Sequence, residues 1–288
     1  MTILGDGEYR YERAPEWPQM PRYWSFEDAS DAAVNSKGEI YIFSRGNHPI
    51  TIWDSRGNFI SSWGEGEFSA NPHGIYITPE DNVWLVDRDY HTATEYSPGG
   101  DVLRTLGEKL APSPSFLGLP FNMPSGLAIA PNGELFVSDG YGAHRVHKFS
   151  AEGELLLSWG SQGSGPGEFA LLHNIWVDKN NRVIICDREN DRIQIFDAQG
   201  NFLEQWTDLS KPGDVWVHDD MIYCIEQGDS GGVSIWTLNG EVVSRWKNDE
   251  GPGKGQIKGG HGITVDHEGS IYVTEIINAK RVSKFIRV

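Results

Sequence analysis

Cysteine is scarce in this chain of 288 residues, which has only Cys186 and Cys224. Two cysteines can form at most one disulfide, so the sequence excludes a small fold held together by a disulfide framework. Both lie in apolar runs, at 183–186 and 222–225, where a buried thiol is ordinary. We therefore assign no chemical role to either cysteine.

Long apolar runs are missing as well. No segment approaches the about 18 residues of a membrane-spanning helix, and residues 1–8 have neither the basic nor the apolar stretch of a secretory leader. Positive charge is scarce too, with 24 Lys and Arg against 41 Asp and Glu and a formal net charge of −17. This charge repels nucleic-acid phosphates and anionic lipid headgroups. We predict a soluble, cytoplasmic protein with no nucleic acid or membrane partner.

Glycine and aromatic residues are abundant, with 34 glycines and 11 tryptophans. Aromatic side chains favour the pleated surface of strands, and glycine turns the chain between them. One pattern of short apolar strands and polar turns then repeats along the chain. Its copies start at Ser30, His73, Ser125, His173, Gly213 and His261, at spacings of 40 to 52 residues. A four-stranded propeller blade takes about 40–45 residues.

The repeat predicts an all-β fold, a six-bladed β-propeller with four-stranded antiparallel blades. We expect one domain over residues 1–288, because the proline-rich stretch 111–114 only lengthens a loop between two copies. The last copy ends after three strands, whereas the alternating segment Tyr9–Glu12 precedes the first copy. This amino-terminal strand is expected to complete the sixth blade and to cover its exposed edge.

Three histidines occupy the same position in alternate copies, namely His73, His173 and His261. The first strand of each propeller blade lines the central channel, so alternate members of a ring of six would converge at 120° to one another. Three imidazoles with one open coordination position suit a zinc ion. The alternative is three separate channel histidines that water satisfies. The remaining histidines do not occupy equivalent positions in different copies, and we expect them at the surface or in turns. They are His48, His91, His144, His147, His218 and His267.

The loops that follow the second strands open on the same face as the starts of the first strands, because neighbouring strands are antiparallel. These loops carry Arg45, Arg88, Arg188 and Tyr141. Arginines beside a cation are unfavourable unless an anion lies between them, so Arg45 and Arg188 predict a small substrate that bears a carboxylate. The alternative is that each arginine pairs with an acid of the adjacent blade, which we expect for Arg88. Tyr141 is a candidate general base.

Four motifs carry a resemblance to a known family: 187–194 (DRENDRIQ), 137–141 (VSDGY), 42–48 (IFSRGNH) and 72–74 (PHG). Together they resemble the catalytic core of peptidyl-α-hydroxyglycine α-amidating lyase, a six-bladed propeller of the NHL-repeat class. The resemblance implies that His73, His173 and His261 bind zinc. It also implies that Tyr141 is the catalytic tyrosine and that Arg45 and Arg188 are the two active-site arginines.

The family reaction splits a carbinolamide into an amide and glyoxylate. The resemblance implies that zinc polarises the substrate, that Tyr141 takes the hydroxyl proton and that arginine neutralises the carboxylate. Animal members carry an aspartate after the third histidine that helps to hold calcium, but this chain has Gly262 there, so calcium is not expected. Two alternatives remain: a metal-dependent hydrolase or dehydratase acting on another small carboxylate, and a non-catalytic NHL interaction module.

Overall fold

The computed structural model describes residues 2–229, 231–247, 257–277 and 279–288. Within these residues the strands form six sheets of four or five antiparallel strands and one two-stranded sheet. The predicted all-β, six-bladed propeller is confirmed. Two compact units divide the chain, one made of residues 1–67 and 213–288 and the other of residues 68–212. No helix in the described ranges has the length and apolar character needed to cross a membrane.

The amino-terminal part of the first unit contains two strands ahead of the first blade. Its strands are β1 (Ile3–Asp6), β2 (Tyr9–Arg13), β3 (Ala29–Val34), β4 (Ile40–Ser44), β5 (Ile50–Trp53) and β6 (Phe59–Trp63). β3 to β6 make one sheet in sequence order. β4 and β5 are buried along their whole length, whereas β6 begins with three exposed residues. These central strands are mostly apolar, because both of their faces pack against other residues.

The second unit contains three four-stranded sheets. Its strands are β7 (Pro72–Ile77), β8 (Val83–Asp87), β9 (Thr92–Tyr96), β10 (Val102–Gly107), β11 (Gly126–Ile129), β12 (Leu135–Asp139), β13 (Arg145–Phe149), β14 (Leu155–Trp159), β15 (Ser161–Gln162), β16 (Glu168–Phe169), β17 (Leu172–Val177), β18 (Val183–Asp187), β19 (Arg192–Phe196) and β20 (Phe202–Trp206). β7 to β10, β11 to β14 and β17 to β20 form the sheets, and β15 pairs with β16 in parallel. Short 3-10 helices span Ser115–Leu117 and Arg188–Asn190.

The carboxy-terminal part of the first unit contains the last two sheets. Its strands are β21 (Pro212–His218), β22 (Met221–Glu226), β23 (Gly232–Thr237), β24 (Val242–Lys247), β25 (Gly260–Val265), β26 (Ile271–Glu275) and β27 (Arg281–Arg287). The last sheet has the order β25-β26-β27-β2-β1, so β2 takes the fourth position beside β27 and β1 adds a fifth strand. The sequence pattern had given no indication of β1.

Turns of one kind join third and fourth strands. At the end of β5 the carboxylate of Asp54 accepts hydrogen bonds from the amides of Arg56 and Asn58, and Gly57 adopts a φ of +89°. Only glycine takes this backbone conformation without strain. The same Asp and Asn arrangement recurs at Asp197 and Asn201 after β19. A repeated turn of this type keeps the register of the outer strands the same from blade to blade.

Aromatic side chains fill the core of each unit. In the second unit Phe136, Phe169 and Phe196 pack in one cluster, and Trp84 and Phe121 pack in another. The first unit has its own clusters, whose largest members are Trp246, Tyr11, Trp53 and Tyr272. Truncating a buried aromatic side chain of this size costs about 3–5 kcal/mol. The core therefore depends on the repeated apolar positions and not on the candidate site residues.

Candidate functional site

His73 lies near the start of β7 and only 2% of it is exposed. Its Nδ1 is 2.6 Å from the carbonyl oxygen of Ser125. A carbonyl oxygen only accepts hydrogen bonds, so Nδ1 carries a proton and, in the neutral ring, Nε2 carries a lone pair. The hydroxyl of Tyr141 is 3.0 Å from this Nε2 and donates to it. The structure therefore fixes both the tautomer of His73 and the direction of its contact with Tyr141.

His173 lies near the start of β17 in the same unit and is 1% exposed. Its ring centroid is 4.8 Å from that of His73 and 6.0 Å from that of Tyr141. Two of the three predicted metal ligands and the predicted catalytic tyrosine therefore lie together within the second unit.

His261 lies near the start of β25 in the first unit and is 3% exposed. Its Nδ1 is 2.6 Å from the carbonyl oxygen of Ser30, the serine that starts the first copy of the repeat. His73 makes the same contact with Ser125, the serine that starts the copy after its own. The two histidines thus have equivalent surroundings, and in both the Nε2 lone pair is the one left for a further ligand.

The donor set suits a transition metal. The donors are buried imidazoles, two of them on His73 and His173 in the second unit and one on His261 in the first unit. In metal sites a ligating histidine usually donates its other ring N–H to a carbonyl or a carboxylate, which fixes the ring and its tautomer. The Nδ1 contacts of His73 and His261 are of this kind. The residues present therefore fit a metal that imidazole nitrogen prefers, such as zinc.

Gly262 follows His261, at the position where calcium-binding relatives are expected to have an aspartate. A side chain built on Gly262 would meet the carboxylate and Cα of Asp31. Asp31 itself is 4% exposed, and its Oδ1 accepts the amide hydrogen bond of Ala32. A larger side chain at position 262 has no room here.

Tyr141 is positioned by its neighbours on both sides. It lies just after β12, which ends at the fully buried Asp139. Both carboxylate oxygens of Asp139 accept hydrogen bonds from the backbone amide of Asn122, at 2.9 and 2.7 Å. A side chain on Gly140 would overlap the backbone of Leu172, and one on Gly142 would overlap Asn122. The two glycines therefore permit a close backbone approach that sets the place of the tyrosine.

Arg45 and Arg188 follow β4 and β18, as the sequence analysis required. Arg45 Nη1 lies 3.6 Å from Asp28, and Arg188 Nε lies 2.8 Å from Glu189. Their side chains are 17% and 19% exposed. Each arginine thus has an acidic partner, which is the next residue in the chain for Arg188 and lies before β3 for Arg45. Their binding of a substrate carboxylate stays a prediction.

Arg88 was expected to pair with an acid of the adjacent blade, and this expectation is wrong. Its Nε donates to Asp89, the next residue in the chain, at 2.9 Å. Its guanidinium carbon lies 4.9 Å from the centroid of the Tyr141 ring. Arg88 occupies the same position after a second strand as Arg45 and Arg188, and this equivalence is the signal in the sequence that could have found it.

His147 departs from its prediction too. It was expected at the surface or in a turn, but it lies in β13 and is fully buried. Its Nε2 is 3.2 Å from Asp139, and its Nδ1 is 2.7 Å from the hydroxyl of Ser158. Because buried polar groups need partners, His147 is a structural residue that links β12, β13 and β14.

Comparisons with known proteins agree with this architecture. A family model described as a 6-bladed beta-propeller matches residues 124–210. The solved structure described as streptogramin B lyase has a TM-score of 0.66 and 14% sequence identity, and the match covers 98% of this chain and 97% of that one. At this identity the likeness shows the fold alone. The class is thus a six-bladed β-propeller.

Two relatives show which propeller proteins this chain resembles in sequence. The chain is 29% identical to NHL repeat-containing protein 3 of Homo sapiens, over 94% of this chain and 82% of that protein. It is also 29% identical to peptidyl-alpha-hydroxyglycine alpha-amidating lyase 1 of Drosophila melanogaster, over 82% of this chain and 48% of that protein. The resemblance to the amidating lyases that the sequence motifs indicated is confirmed, and NHL repeat-containing protein 3 is a relative of similar identity.

Proposed function

We propose that this protein is a zinc-dependent lyase that cleaves the C–N bond of an α-hydroxyglycine-type carbinolamide to give an amide and glyoxylate. The observation that carries the proposal is the hydrogen bond from Tyr141 to His73, beside the second buried imidazole of His173. The contact supports the proposal, because a hydroxyl that could transfer a proton lies beside a candidate metal ligand. The similarity to an amidating lyase of Drosophila melanogaster supports the same reaction class.

His73, His173 and His261 would hold the metal through one imidazole nitrogen each. A bound divalent metal supplies Lewis-acid polarisation of a substrate oxygen. His73 and His261 contribute more than a donor atom, because their Nδ1 contacts with backbone carbonyl groups fix the rings in place. Coordination holds these imidazoles neutral, so proton competition is part of the chemistry of this site.

With Nε2 of His73 given to the metal, that nitrogen would no longer accept from Tyr141, and Tyr141, ionised to the phenolate, would take the proton of the substrate hydroxyl group. A lone pair of the resulting alkoxide oxygen then forms the carbonyl double bond, the C–N bond breaks, and the electron pair of that bond passes to the nitrogen. Tyr141 returns the proton to the departing nitrogen, so the products are a neutral amide and glyoxylate and the balance needs no water. Arg45 and Arg188 would hold the carboxylate and orient the bond that breaks, with charge-assisted hydrogen bonds.

One alternative has an observation of its own. The relative NHL repeat-containing protein 3 carries no activity in its name, which favours a non-catalytic interaction module. A binding scaffold has no need for buried histidines at the same position of alternate blades, and this argues for the lyase. The other alternative, a metal-dependent hydrolase or dehydratase, keeps the same metal ligands and differs in its products.

The direct test is product analysis with α-hydroxyhippurate as substrate. We expect protein loaded with zinc to release glyoxylate and benzamide in equal amounts, well above the rate in buffer. Protein stripped of metal by a chelator is the matched control and should fall to the buffer rate. Metal-loaded protein that releases no glyoxylate above the buffer rate would contradict the proposal, and release of a different product would favour the hydrolase or dehydratase.

A further inference from the structure

Arg88 begins the same loop in its blade that Arg45 and Arg188 begin in theirs. It follows Asp87 at the end of β8, just as Arg188 follows Asp187 at the end of β18. Asp87 is buried and accepts the amide and the hydroxyl of Ser69 at 2.8 and 2.5 Å, which fixes the end of the strand. The start of the loop is therefore held rigidly, and Arg88 leaves it at a defined place.

The guanidinium of Arg88 is held from two sides. Nε donates to Asp89 at 2.9 Å, and the amide of Asn71 donates to the other oxygen of Asp89 at 2.6 Å. Burial works against the charge of Asp89, but the hydrogen bonds from Arg88 and Asn71 outweigh it and lower the pKa of this carboxyl. The ring of Tyr141 lies 4.9 Å from the guanidinium carbon. The charged group is thus oriented before any ligand arrives.

Most donors of this guanidinium remain available. Arginine has five N–H donors, and in the described part of the chain the hydrogen bond of Arg88 is the one from Nε to Asp89. Its side chain is 23% exposed. Arg192 in the same unit shows the opposite arrangement and is structural. Its Nε, Nη1 and Nη2 donate to Asp187, Gln205 and the carbonyl oxygens of Ser164, Gly165 and Glu168.

We propose that Arg88 is a third carboxylate-binding arginine, which together with Tyr141 forms the part of the site that selects an α-hydroxy carboxylate over a neutral analogue. The Nη1 and Nη2 groups offer the planar fork that binds a carboxylate through two hydrogen bonds. The hydroxyl of Tyr141 belongs to the ring that packs on this guanidinium, so one small ligand can contact both. The substrate class rests on the proposed lyase function, but the anion preference of Arg88 does not.

The test uses glycolate and glycolamide as probes, because they differ only in the carboxylate. Calorimetric titration of the purified, metal-containing protein should show glycolate binding more tightly than glycolamide by about 10-fold or more. Arg88→Gln should reduce this preference, while Arg45 and Arg188 retain part of it. Arg22→Gln is the matched control, since Arg22 also stacks on a tyrosine, at 4.7 Å from Tyr23, which is 88% exposed; this variant should keep the preference.

Each outcome decides the matter. An Arg88→Gln protein that keeps the wild-type preference for glycolate, or a wild type with no preference, overturns the inference. If Arg88→Gln fails to fold, Arg88→Lys replaces it and should still weaken glycolate binding, because lysine keeps the charge and loses the fork. If the preference for glycolate depends on Arg88 but the protein releases no glyoxylate, the lyase proposal is refuted and the role of Arg88 in anion binding stands. Glyoxylate release with a KM that Arg88→Gln leaves unchanged would refute the role of Arg88 alone.

Discussion

The hydroxyl of Tyr141 donates a hydrogen bond to Nε2 of His73, across 3.0 Å. The direction of this bond follows from the contact of Nδ1 with Ser125, because a carbonyl oxygen cannot donate. The lone pair that receives the phenol is the same one that His73 would offer to a metal. Tyr141 therefore lies at the place where proton transfer and metal binding would meet, and this relationship leads to the first predictions.

Replacement of Tyr141 by phenylalanine should abolish most of the activity and leave the metal bound. The ring keeps its packing while the proton acceptor is lost, and loss of a general base typically costs about 10²- to 10⁴-fold in rate. The measurement is glyoxylate release together with metal content. Tyr76→Phe is the matched control in the same unit and should keep the wild-type rate. A Tyr141→Phe protein at the wild-type rate with metal in place would refute the role of the tyrosine.

Replacement of any one of His73, His173 and His261 by alanine should remove most of the metal. The fold should stay intact, because the aromatic core clusters do not include these histidines. Plasma mass spectrometry of the purified variants measures the metal content, and circular dichroism checks the fold. His218→Ala is the control, since this histidine pairs with exposed Asp219 and should be neutral for metal. Full metal content in any of the three variants would contradict a metal site made of these three histidines.

Acidification should release the metal and reduce activity. Coordination holds each imidazole neutral, and protons compete for the same nitrogen as the pH falls through the ordinary histidine pKa of about 6.5 and below. The loss is therefore on the acid side. The measurement is metal retained after gel filtration across a pH series, alongside the rate. A rate that stays constant down to about pH 4.5 would contradict a site built from histidines alone.

Alkaline pH should destabilise the fold through its buried tyrosines. Burial and then the charge of Glu80 raise the pKa of Tyr76 to about 12, whereas an unfolded tyrosine titrates near about 10. Between these values the unfolded state loses the proton first, so the stability present below about pH 10 falls as the pH rises, by at most about 2.7 kcal/mol for this residue. Urea midpoints across this range measure the loss. Tyr76→Phe should lose less than the wild type, and an equal slope would contradict the assignment.

Arg192 should be essential for stability. It is 5% exposed and pairs with Asp187, which is fully buried, so Arg192→Met leaves a charge uncompensated in the core. Breaking a buried pair from one side costs about 3–5 kcal/mol. A urea denaturation series gives the change in midpoint. Lys211→Gln is the control, because Lys211 forms an exposed pair with Glu189 that is worth about 1 kcal/mol or less. Equal effects of the two substitutions would contradict the structural role of Arg192.

The repeat made the fold predictable from sequence. Copies that start at Ser30, His73 and His261 carry strands at the same spacing, and the sheets are those that the spacing predicts. Residues at the same position of different copies have equivalent surroundings. His73 and His261 therefore make the same contact with a serine carbonyl oxygen. The short strand β1 was not predicted because residues 3–6 lie outside the repeat, and their strand pairing with β2 exists only in the folded chain.

Periodic strands in one register place equivalent residues alike, so the blades, the shared position of the three histidines and the loops that carry Tyr141 and the arginines were predictable from the amino-acid sequence. The contacts of individual side chains came from the fold. It placed Arg88 on the ring of Tyr141 and buried His147 between Asp139 and Ser158. The physical reason is that a side chain's partner depends on rotamers and on the approach of residues far apart in the chain. The spacing of a repeat fixes neither of these.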